Sequence, residues 1–258
     1  MPLNSAPKCN YFVTTVSNSL FISGESLSEI YCLRIAIDTH AKFEDTHPMI
    51  VKQIKLSKME TFCYLAGDKK TQTCALIDPA FDTRRVLKIA DDMGYRVTHV
   101  INTHCHSDHT AGNKAVVAAT GAKLLIHTVD AGRLNTIMNS AFARVLGGKS
   151  SPKPDVLLQD NDDIFIGATC LKTIHTPGHT PGGICLYAEE HVFTGDSLFV
   201  EAVGRTDLPG GSSSQLLRSI KEKIYTLPGN TIVWPGHDYG PTPSSTVADE
   251  IRNNPFTW

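Results

Sequence analysis

Residues 102–112 read Asn-Thr-His-Cys-His-Ser-Asp-His-Thr-Ala-Gly and set His104, His106, Asp108 and His109 within six positions. Neutral imidazole and carboxylate are the ligands that borderline divalent metals prefer. The preceding apolar run, residues 97–101, reads as a buried strand, and residues 113–120 read as a helix. Strand, ligand loop and helix together place chemistry at the end of a rigid sheet. Alternation along an extended segment points His104, His106 and Asp108 to one side. A turn at Asp108 then sends His109 to a neighbouring position, so one loop can serve two metals. Cys105 falls on the opposite side and reads as a packing residue.

Upstream, residues 50–56, 61–66 and 73–77 read as strands, with a Gly-Asp-Lys-Lys turn at 67–70. Asp82 is placed to cap a helix running to about Met93. Downstream, residues 123–126 read as a short strand ending at His127, and residues 129–146 as one helix. His127 is expected to cap or to be solvated. The breaker-rich run 147–154 is the one clear linker, between halves that each offer strands followed by helix. Two inner sheets with helices outside, a four-layer αββα sandwich of the α/β class, accommodates that order.

The second half exposes three further candidates at breaker-rich strand ends. His179 lies in His-Thr-Pro-Gly-His-Thr-Pro-Gly-Gly at 175–183, Asp196 ends a strand in Thr-Gly-Asp, and His237 follows Trp-Pro-Gly. His175, four residues before His179, is read as structural. Residues 1–47 carry no motif and are read as an N-terminal extension: an extra edge strand over 31–37, an oligomer contact or an arm. His40 and His47, within it, read as solvated. The main domain is then 48–258.

A formal charge of −2 over 258 residues gives no bulk electrostatic support for nucleic-acid binding. No apolar run approaches the ~18 residues a membrane span needs. Residues 1–10 hold one basic side chain, Lys8, and the apolar run after them is broken by Thr14, Thr15, Ser17 and Asn18. That fits neither a secretory signal nor an Arg-rich transit peptide. Seven cysteines without Cys-x-x-Cys spacing read as reduced thiols in a cytoplasmic protein.

His-Cys-His-Ser-Asp-His matches the His-x-His-x-Asp-His signature of the metallo-β-lactamase superfamily. The later blocks resemble its glyoxalase II branch, over about residues 48–258. Residue by residue, the resemblance assigns His104, His106 and His179 to one metal, and Asp108, His109 and His237 to another. Asp196 would bridge them, and Asp78 would support the metal loop. Two divalent ions are implied, zinc first, with iron or manganese as alternatives. Such ions ~3.5–4 Å apart activate a bridging water for attack on a carbonyl, with Asp108 orienting it. Gly-Arg-Thr-Asp at 204–207 resembles the segment in which that branch places a basic residue near a glutathione carboxylate, here Arg205, and Tyr239 matches another substrate contact. Ala202-Val203 stands where a Cys-Gly pair often precedes that segment, and Asp207 is expected to cap the following helix over 213–227.

The leading expectation is therefore a hydrolase of a small thioester such as a hydroxyacyl-glutathione, with no nucleic-acid or membrane partner. The alternative is a persulfide dioxygenase on the same fold. That family resembles this chain at His104, His179, Asp196, Arg205 and Tyr239, but uses a single iron. A non-catalytic structural zinc module is disfavoured, because no cysteine stands at ligand spacing.

Overall fold

The computed structural model describes residues 49–258. The expected extension over 1–47, with its strand at 31–37, His40 and His47, lies outside the described residues. The first sheet runs β1 (Ile50–Lys55), β2 (Phe62–Asp68), β3 (Thr73–Ile77), β4 (Arg96–Asn102), β5 (Lys123–His127) and β6 (Val156–Leu158), in that spatial order. Its first pairs are antiparallel, and β3 to β6 run parallel. Parallel neighbours need crossovers, which α1 (Thr83–Asp92) and α3 (Asn113–Thr120) supply on the outer face. Between β4 and α3 lies the single turn α2 (Ser107–Thr110).

The second sheet is built from β7 (Asp163–Ile166), β8 (Thr169–His175), β9 (Ile184–Ala188) and β10 (His191–Gly195). The hairpin β11 (Leu198–Phe199) and β12 (Ala202–Val203) follows, and β13 (Ile232–Pro235) and β14 (Ser245–Thr246) complete the sheet, in the order β14-β13-β10-β9-β8-β7. Its outer face carries α6 (Ser213–Ser219) and α7 (Val247–Asn253).

Alternation in single strands creates the layers. On β2, Cys63 and Leu65 join Val86, Ala90 and Val116 of the outer helices, whereas Phe62, Tyr64 and Ala66 face the other way. There they meet Ile164, Leu171, Ile184, Leu186 and Phe193 of the second sheet. On the far side, Cys185, Val192 and Val233 pack under Leu216, Ile220, Ile224 and Val247. Three apolar seams separate four layers, as the αββα expectation requires.

Four local expectations need correction. The expected helix over 129–146 is two: α4 (Thr128–Ala131) and α5 (Ile137–Val145), broken by turns from Gly132. Thr136 restarts the helix by accepting from the Asn139 N–H at 3.3 Å. Helix 213–227 ends sooner: after α6 the chain passes into a π turn, Ile220–Ile224, closed by Tyr225 N–H on the Ile220 carbonyl at 2.9 Å. The run 147–154 does not divide the sheets, because β6 still pairs with β5. Asp82 precedes α1 without capping it, since its carboxylate accepts from the Ser57 N–H and hydroxyl at 2.8 and 2.7 Å. No helix among the described residues is long and apolar enough to cross a membrane.

Candidate metal centre

The loop after β4 is shaped by two buried carboxylates. Asp78, following β3, accepts from Thr103 N–H at 2.9 Å and from the Thr103 hydroxyl at 2.6 Å. Asp130, in α4, accepts from Cys105 N–H at 2.9 Å. Side-chain acceptors thus take donors that a continuing strand would pair. Strict alternation therefore stops at Asn102: His104 and His106 project from a bend, Asp108 and His109 from α2. Cys105 packs with Ile126 and Leu134, as expected, and burial drives its thiol pKa upward.

The second sheet brings the remaining ligands to this bend. Gly195, at φ +48°, turns the chain between β10 and Asp196, and a Cβ there would stand 2.4 Å from the Thr103 hydroxyl. Only glycine lets the two loops approach so closely. His179 follows β8, and His237 follows β13, where Phe62 N–H bonds the Gly236 carbonyl at 2.8 Å and stitches the two sheets together.

All seven expected ligands converge. His104, His106 and His179 form one group; His104, His109 and Asp196 a second; Asp108, His109 and His237 a third, with donor atoms in each within 4.8 Å of one another. Asp196 reaches both sides, with Oδ1 3.2 Å from His109 Nε2 and Oδ2 3.4 Å from Nε2 of both His179 and His237.

The imidazoles are held from behind. Nδ1 of His179 lies 2.7 Å from the Arg205 carbonyl, and Nδ1 of His237 2.8 Å from the Met59 carbonyl. A carbonyl only accepts, so each Nδ1 carries the proton and each Nε2 turns a bare lone pair inward. Those lone pairs face the Asp196 carboxylate, acceptor against acceptor. Nε2 of His104 is likewise buried without a hydrogen-bond partner. A cation is what such a donor set lacks, so the residues fit a metal and form a metal centre.

The electrostatics divide the rings: at His237 burial opposes charge, but Asp196 outweighs it and raises the pKa. Burial, then the neighbouring His109, holds the His104 pKa well below the usual imidazole range. Burial, then His179, lowers that of His106 to about 4. Burial opposes charge on His109 as well, yet Asp196 and Asp78 outweigh it and hold its pKa well above that range. A cation at the same point would stand in for that proton.

Around the centre opens a cavity of about 860 Å³ that includes Arg205 and Tyr239 in its wall. Tyr239 stacks on His237, centroids 4.6 Å apart and planes 5° from parallel. Arg205 grips Asp207 through bonds of 2.8 and 2.7 Å, with both side chains about two-thirds exposed at 63% and 67%. Asp207 therefore does not cap α6; Ser212 does, accepting from Gln215 N–H at 3.4 Å. His127 and His175 stack on each other at 4.2 Å, outside the ligand groups. His127 caps α4 as expected, its Nδ1 accepting from Val129 N–H at 3.3 Å.

Sequence reasoning missed Asp130. Besides Cys105, it accepts from the Thr180 hydroxyl and from Gly182 N–H, both at 2.8 Å, and so ties the His104–His106 bend to the His179 loop. Nothing local marks it, because its partners lie 25 to 52 residues away.

The profile of the metallo-beta-lactamase superfamily matches residues 58–237. The mitochondrial persulfide dioxygenase ETHE1 of Bos taurus is 34% identical over 211 residues, 81% of this chain and 76% of that protein. A crystal structure of ETHE1 from Myxococcus xanthus superposes with TM-score 0.69 at 33% identity, covering 80% of this chain and 84% of that one. Hydroxyacylglutathione hydrolase of Rhodospirillum rubrum is 36% identical over a shorter span, 70% of this chain and 63% of that protein. The broader match to the dioxygenases overturns the expected zinc thioester hydrolase. The matched span contains every candidate ligand from His104 to His237, and the chain is an enzyme of the metallo-beta-lactamase superfamily.

Proposed function

We propose that the chain is an oxidoreductase of the persulfide dioxygenase type, acting on the terminal sulfur of a small organic persulfide. The observation that carries this reading is the likeness to ETHE1 over 81% of the chain. His104, His179 and Asp196 would hold a single iron, two imidazoles and one carboxylate with positions left open. Bound there, iron would supply the electron exchange with dioxygen that closed-shell side chains lack. Both oxygen atoms end on the sulfur, which provides all the electrons, so no external reductant enters.

The chain's own residues orient and enclose. The Arg205 and Met59 carbonyls and the Asp78 carboxylate fix the rings of His179, His237 and His109. Tyr239 braces His237 from the cavity side. Asp108 stands 3.7 Å from His237 Nε2, where it can accept a proton from a bound thiol-like group.

The test is metal analysis of protein purified without chelator, with oxygen uptake measured on glutathione persulfide. Near one iron per chain with uptake is the expected result. Two zinc per chain and no uptake would overturn the reading.

A further inference from the structure

Two arginines line the cavity, and they are not equivalent. Arg205 has its guanidinium engaged by Asp207, so the pair presents little net charge to a ligand. Arg133 has no carboxylate within ion-pair distance among the described residues. It makes one bond, from Nη1 to the Pro209 carbonyl at 3.0 Å, and keeps its other N–H groups. Gly210, at φ +94°, makes room for it: a Cβ there would stand 2.8 Å from Nη1. Its backbone is also fixed. The Asn139 amide donates to the Arg133 carbonyl at 2.8 Å and to the Cys105 carbonyl at 3.0 Å, coupling this arginine to the metal loop.

The wall beside Arg133 is apolar. Met138 and Phe142 lie four residues apart on α5, hence on one side of the helix. They stand 68% and 42% exposed and line the same cavity as Phe199, Val203 and Leu208. Apolar side chains of that size left uncovered beside a reactive centre mark a ligand surface. A planar donor fork with unused N–H groups recognises a carboxylate or a like anion.

We propose that the cavity selects a persulfide with an apolar body and one carboxylate, and that Arg133 is the residue that reads its charge. The persulfide group rests on the dioxygenase reading; the apolar body and single charge rest on the cavity alone. Glutathione, with two carboxylates and a polar peptide body, matches one uncompensated cation and an apolar wall less well.

Binding of inert thioethers to the metal-loaded enzyme separates these points. The probes are 3-(benzylthio)propanoate, its neutral amide and S-methylglutathione, titrated by calorimetry. The acid is expected to bind about fivefold or more tighter than the amide, the worth of one partly exposed charge contact. It should also bind tighter than S-methylglutathione. Arg133→Gln should bring the acid down to the level of the amide and leave the amide unchanged, whereas Arg133→Lys restores part of the difference. Phe142→Ala should weaken acid and amide alike. If Arg133→Gln leaves the acid's affinity intact, or S-methylglutathione binds best, the inference fails. Oxygen uptake on the persulfide of an apolar monocarboxylic thiol, run beside glutathione persulfide, distinguishes the two failures: uptake on either without the binding pattern sinks only this inference, and the pattern without uptake on either sinks only the dioxygenase reading.

Discussion

Five imidazoles share one small volume, and a ring there is useful only if its free nitrogen points inward. Backbone carbonyls and Asp78 do that work for His179, His237 and His109, and the Thr103 hydroxyl lies 3.1 Å from Nδ1 of His104. Two substitutions separate holding an ion from surrounding it. Asp196→Ala is expected to lower metal affinity by about a hundredfold or more, beyond the loss typical of a supporting group. His109→Ala is expected to keep near one iron per chain while activity falls, because a single-ion centre does not need that ring. Inductively coupled plasma analysis of both variants decides, with circular dichroism confirming the fold; loss of the ion from His109→Ala would contradict a single-ion centre. Asp130 touches no ligand ring, yet it aligns two ligand loops. Asp130→Asn would turn an amide toward N–H and O–H donors, and metal affinity should drop about tenfold. Competition with a chromogenic chelator measures it. The seven residues that converge on the centre were legible in the sequence because residue type, close spacing and breaker-rich strand ends coincide. Asp130 and the Arg205–Asp207 pair were not, since a carboxylate's choice among distant partners is settled only by packing.

At the scale of elements, polar clasps do what apolar pattern does not encode. Asp68 ends β2 and accepts from Thr71 N–H at 2.8 Å, from the Thr71 hydroxyl at 2.6 Å, and from the Thr169 hydroxyl on β8 at 3.3 Å. It thereby joins the first sheet to the second. Burial alone would raise its pKa, but these donors outweigh it and hold the carboxyl below its ordinary value. A depressed folded pKa stabilises fully above about pH 4, the unfolded value, and the contribution fades as pH falls through the folded pKa. Asp68→Asn should therefore cost about 2 kcal/mol near neutrality and progressively less in acid. Urea unfolding of both proteins at pH 7 and pH 3 checks this, and an equal gap at both values would refute it. Strand positions were readable because period-two alternation is local. The break between α4 and α5 and the π turn were not, because one glycine in a helical pattern is a weak signal and the interruptions answer to tertiary contacts around Asn139 and Tyr225.

Across the whole molecule, the centre sits where the two sheets meet. His104, His106, Asp108 and His109 come from the first, and His179, Asp196 and His237 from the second. An ion held by both sets cannot stay bound once the sheets part, so it favours the folded chain by mass action. Apparent stability then becomes a readout of free metal. The unfolding free energy should rise by about 1.4 kcal/mol for each tenfold increase in free ion above its dissociation constant. Chelation should lower the melting temperature, and Asp196→Ala should flatten that dependence. A wild-type melting curve indifferent to metal would mean that the sheets hold together without it. Otherwise a cell's supply of the ion would set how much of this protein survives as well as how fast it turns over.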